Sequence, residues 1–88
     1  MAAGAESSTR EEMERLLRNA LETAKLEHQD VKAECARLQA IHEELGENHP
    51  DALAALREAL ERERRSLERY HGAIIDFGKF ILHGHIPE

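Results

Sequence analysis

Leu17, Ala24, Val31, Leu38 and Leu45 recur at seven-residue steps, and Leu21, His28, Cys35 and His42 run beside them at the same step. A helix turns once every 3.6 residues, so two such lines, three and four residues apart, fall on one narrow stripe. A second set, Leu53, Leu56, Leu60, Glu63, Leu67, Tyr70, Ile74, Phe77 and Ile81, repeats the alternation of threes and fours. Neither run has the period of two that a half-buried strand requires. The spacing predicts two long helices, each with one seam.

The segment between the runs sets their relation. In "GENHPD", residues 46–51, Gly46 suits the left-handed residue that ends a helix. Asn48 or His49 is placed to cap the next helix, Pro50 fits its first position, and Asp51 meets the positive end of its dipole. So short a connection forces neighbouring helices to run antiparallel. Ser8 with Glu11, and Thr9 with Glu12, have capping-box spacing. The expected fold is therefore all-α, an antiparallel, coiled-coil-like two-helix hairpin. It comprises a disordered tail over 1–7, a helix over about 9–45, a turn at 46–50, a helix over about 51–83 and a short C-terminal tail. Its layers would pair Leu45 with Leu53, His42 with Leu56, Leu38 with Leu60 and Cys35 with Glu63. Val31/Leu67, His28/Tyr70, Ala24/Ile74, Leu21/Phe77 and Leu17/Ile81 would follow.

A chain of 88 residues buries only about 60% of its unfolded surface, so a hairpin of this size needs help from a bridge, a metal or another chain. The single cysteine, Cys35, rules out an internal disulfide. It fits a reducing compartment, and no apolar run has the length of a signal peptide or a membrane span. The expectation is a cytoplasmic protein that does not bind membranes. The formal net charge of −6 argues against a nucleic-acid surface. The arginines at 57, 62, 64, 65 and 69 alternate with acids at helical spacing, which predicts a solvated, ion-paired face.

The stretch "YHGAIIDFGKFILHGHIPE" is richer in apolar residues than one seam can absorb. Ile75, Phe80 and Leu82 fall off the expected stripe, Ile86 follows the helix end, and Leu16 lies nearby at the start of the first helix. These five are the expected partner-binding residues. The simplest partner is a second copy, giving a dimer built as a four-helix bundle, with Gly72 and Gly78 allowing close approach. A further protein partner is compatible with the same surface.

No catalytic constellation emerges. Cys35 sits in a seam beside an acid, which disfavours the thiolate; no Gly-rich phosphate loop or aromatic platform is present, so the chain is read as non-enzymatic. No cofactor is expected and no residue is assigned to a metal. His28, Cys35 and His42 are about 10.5 Å apart along a helix, too far to share one ion. "HPDALAALREALERE" resembles the first helix of a tetratricopeptide unit of the kinesin-light-chain type, but no second unit follows, and arrays need about three. The alternative function rests on Glu68 and His71, a Glu-x-x-His pair, with Glu27 at the same height on the first helix. In layout and in these residues the chain resembles the short encapsulated ferritins. That resemblance implies an iron site built between two hairpins.

Overall fold

A computed structural model of the chain describes residues 2–87, with side chains from Thr9 onward. Two helices, α1 (Ala2–Leu45) and α2 (Pro50–His83), pack against each other, and no strand occurs among the described residues. They form an antiparallel rod of 69 × 16 × 16 Å. Helix α1 starts at Ala2 rather than near residue 9. Ala2, Ala3, Ala5 and Glu6 are good helix formers, and they carry the helix past the capping-box residues. Met1 and the far end of the C-terminal tail, Glu88, lie outside the described residues.

The turn is built largely as the residues dictate. Gly46 has φ +83° and its N–H donates to the His42 carbonyl at 2.9 Å. A side chain at this φ would be strained, so glycine is required. Pro50 opens α2 and Asp51 lies in its first turn. His49 holds the capping position but its side chain makes no capping hydrogen bond; its carbonyl accepts from the Leu53 N–H at 3.2 Å instead. At the other end Gly84, φ +66°, turns the chain back. Its N–H donates to the Phe80 carbonyl at 2.8 Å, and His85 reaches the Lys79 carbonyl. Carbonyls that a helix end leaves unpaired are thereby satisfied.

Helix α1 presents the stripe its sequence predicts. From Leu17 to His42, every residue of the two seven-step lines is at least half-buried, and Cys35 is the most enclosed. Helix α2 does not. Its inward face consists of Ala52, Leu56, Ala59, Glu63, Ser66, Tyr70, Ala73, Phe77 and Phe80. The line Leu56, Glu63, Tyr70, Phe77 is shared with the sequence expectation. The other line is one residue off: Ala52, Ala59, Ser66, Ala73 and Phe80 replace Leu53, Leu60, Leu67, Ile74 and Ile81. Successive helical residues are about 100° apart, so the helix is turned by roughly half that angle from its expected orientation.

Physical reasons for this choice are visible. Small side chains on the Ala59–Ser66–Ala73 line permit close approach of the two backbones. The rotation also sets Ser66 Oγ 2.9 Å from His28 Nδ1, and carries Arg62 and Arg69 to the acids Glu34 and Glu27 of α1 at 3.1 and 2.6 Å. Finally, it encloses Phe80, the largest apolar side chain on either candidate line, so that this residue is only 4% exposed. The layers made by the shared line survive: the His28 and Tyr70 rings lie 6.0 Å apart, and Glu63 lies beside the buried Cys35 thiol.

Candidate interaction surface

Along α2, three lines of residues run side by side. The small line faces α1, the Leu56–Phe77 line lies at the edge of the seam, and the Leu53–Ile81 line follows on the outer side. Leu60, Leu67, Ile74 and Ile81 on that outer line are each between 37% and 49% exposed. Together with half-buried Leu53 they form an apolar track at seven-residue steps, about 42 Å long.

The two flanks of the hairpin differ in kind. One is closed by the cross-helix pairs Glu34–Arg62 and Glu27–Arg69. An antiparallel pair matches like heptad positions across each flank, so the opposite flank sets the apolar track of α2 beside Arg18, Lys25 and Lys32 of α1. All three cations are exposed, and the Arg18 guanidinium lies over the Phe77 ring at 5.8 Å from its centroid. Among the described residues no ion pair joins the two helices on this flank, and Arg18 pairs with Glu14 of its own helix at 3.0 Å.

Near the end of α2 the track widens. Ile74, Ile75, Ile81 and Leu82 stand three and four residues either side of Gly78, so they frame it on the helix surface. A Cβ added at Gly78 would meet nothing within 4 Å. Such a four-cornered recess is the kind of hole into which a side chain of a facing helix inserts. Of the expected partner-binding residues, Leu16, Ile75 and Ile86 are just over half exposed, and Leu82 is 76% exposed. Phe80 is a correction. The rotation of α2 closes it into the hairpin, where the Arg10 guanidinium sits 5.6 Å from its ring centroid. Sequence reasoning also missed Leu60, Leu67, Ile74 and Ile81 as surface residues, having assigned them to the seam. The signal that could have exposed the error was the neighbouring line of Ala and Ser at the same seven-residue step.

The interior between the helices is polar in its middle third. Ser66 is 1% exposed; its hydroxyl donates to the Glu63 carbonyl at 2.9 Å and meets His28 Nδ1. Its burial leaves no unmet bond, and no buried side-chain polar atom among the described residues is without a partner. Cys35 lies next along the rod. Its hydrogen bond to Glu63, then its burial, then the nearby carboxylate charge push the thiol pKa up from its ordinary value. A protonated, enclosed thiol is a poor nucleophile. The His28–Ser66 contact joins α1 to α2 at this level, with Ser66 Oγ serving both it and the Glu63 carbonyl.

The residues of the iron-site alternative are differently occupied. Glu27 accepts from Arg69 and Glu68 from Arg64 at 3.3 Å, while His71 is exposed. Among the described residues, no group of three or more His, Cys, Asp or Glu side chains is placed to hold a metal ion. Arg64 also pairs with Glu61 at 2.6 Å, an exposed contact that lowers the Glu61 carboxyl pKa and raises that of the guanidinium. Nor is any described helix long and apolar enough to cross a membrane. Comparisons with protein-family models, curated proteins and solved structures find no match to this chain.

Proposed function

We propose that this protein is a small, non-enzymatic interaction module, an adaptor that works as a self-associated helical hairpin. The observation that carries the reading is the Leu60–Leu67–Ile74–Ile81 track, which remains outside a hairpin that has already closed its own seam. Apolar side chains in a continuous exposed row mark an interaction site in a soluble protein. Each such side chain, once fully covered, contributes about 1.5–3 kcal/mol relative to exposure, so the half still exposed on four of them is a substantial driving force. Two hairpins joined on this face make a four-helix assembly and supply the core that one hairpin lacks.

Sedimentation equilibrium over a wide concentration range tests the reading. The wild-type chain is expected to approach twice its 10.0 kDa mass, with a melting temperature that rises with concentration. Ile74→Glu with Ile81→Glu places charges on the track without altering the inward line, and should return the mass to one chain while circular dichroism stays helical. A wild type that remains one chain at the highest concentration overturns self-association.

A further inference from the structure

We infer that the apolar track is the docking face for an acidic amphipathic helix of a partner protein, with apolar residues at heptad spacing and carboxylates on both sides of them. The proposal goes beyond the self-association reading: it keeps the track and names a different occupant, which replaces a second copy there. Period and length set the form of that occupant. Leu53, Leu60, Leu67, Ile74 and Ile81 repeat every seven residues over about 42 Å, the length of about 28 residues, or four heptads, of a facing helix.

Cations stand on both sides of this row. On the α1 side are exposed Arg18, Lys25 and Lys32, the first held on this flank by its place over the Phe77 ring. On the far side are exposed Arg57, Arg64 and His71. Each follows one track residue by four and precedes the next by three, so they border the row between its successive members. Most acids of the flank are already engaged. Glu14 pairs with Arg18, Glu61 and Glu68 pair with Arg64, and Glu63 lies half-buried beside Cys35. Glu22 is exposed on the outer side of the α1 cations. Among the described residues Lys25, Lys32 and Arg57 form no ion pair. Three unpaired cations therefore edge an apolar row.

Charge then separates the occupants. With the two α2 helices antiparallel, a second copy sets the α1 cations of each chain toward their own counterparts. With them parallel, it sets those cations toward Arg57 and Arg64. Either way one cationic edge meets another, which disfavours the contact. An acidic helix covers the same apolar row and neutralises both edges, so it is the stronger occupant and displaces the copy. An anionic membrane would also attract these cations. Yet a row one residue wide between two charged edges matches the narrow stripe of a helix, not a plane, and the net charge of −6 opposes an anionic surface.

Two synthetic peptides of about 28 residues serve as probes, each with Leu at heptad positions a and d; one carries Glu at every e and g, the other Lys. The full chain is titrated with each by calorimetry at low salt, and its mass is read alone and in the mixtures by sedimentation equilibrium. The acidic peptide is expected to bind one to one, the basic peptide about tenfold or more weakly. A chain that is dimeric alone should become one chain with one acidic peptide. Lys25→Glu, Lys32→Glu and Arg57→Glu together should invert the preference, whereas Arg65→Glu, on the other side of α2 from the track, should leave it in place. Should the triple change unfold the hairpin, high salt reads the same charges on the wild type, because screening must erase the preference. Equal binding of both peptides, binding of neither, or a preference that survives both the triple change and high salt overturns the proposal. So does sedimentation of the chain with phosphatidylserine vesicles while the acidic peptide stays unbound, which assigns the flank to a membrane. A chain that is monomeric alone yet binds the acidic peptide removes self-association and leaves this proposal standing.

Discussion

Ala59, Ser66, Ala73 and Phe80 lie one residue before Leu60, Leu67, Ile74 and Ile81, and the two lines have opposite fates. The first is inward and nearly closed, its three best-covered members being Ala59, Ser66 and Phe80; the second is left at 37–49% exposure. Hydrophobicity alone would choose the second line. The hairpin instead takes the line that lets its backbones come close, fills one end with Phe80, and engages His28, Glu34 and Glu27 on the way. Apolar content therefore ranks residues poorly when two neighbouring lines compete. Shape and available partners decide between them.

The sharpest way to break this comparison is at the Phe80/Ile81 step. Phe80→Ala should cost about 3–5 kcal/mol, a large part of the roughly 4–13 kcal/mol that a chain of 88 residues can hold. Ile81→Ala, about half exposed, should cost about 1 kcal/mol in dilute protein, where association does not contribute. Urea melts of both variants at low concentration provide the check. Equal losses, or a larger loss at Ile81, would restore the orientation expected from the heptads.

A smaller effect is expected from filling the small line. Ala59 is 1% exposed against α1, so Ala59→Leu should overpack the seam and cost about 1–3 kcal/mol. A stabilised Ala59→Leu protein would show that the helices have room there, and that close approach is not what turns α2. The weakest expected effect lies on the closed flank. Arg62 and Glu34 are both about 40% exposed, so Arg62→Ala should lower stability by less than about 1 kcal/mol, and by less again at high salt. A loss of several kcal/mol would make the ion pairs, rather than packing, the cause of the rotation.

Much of the fold was legible because it rests on local rules. Gly46 and Pro50 mark the turn by their own backbone limits, and the α1 stripe has no competitor, since residues beside it are mostly charged or polar. The His28/Tyr70 and Cys35/Glu63 layers followed from loop length and a shared period. The candidate surface was legible only in part. Leu16, Ile75, Leu82 and Ile86 were recognisable as excess over one seam, and all are exposed. Phe80 was misplaced because its assignment depended on which of two lines faced α1, and both lines satisfy the same seven-residue period.

The sequence by itself determined that this chain makes two helices, where they break, that they run antiparallel, and which residues share a helix face. Those outcomes depend on period, on glycine and proline, and on a connection too short for any other path. Tertiary structure decided the rotation of α2 by about half a residue's angle, and with it which apolar line is core and which is surface. That choice turns on the distance between two backbones and on bonds such as His28–Ser66, whose partners are 38 residues apart. A repeat counted along one helix contains neither quantity.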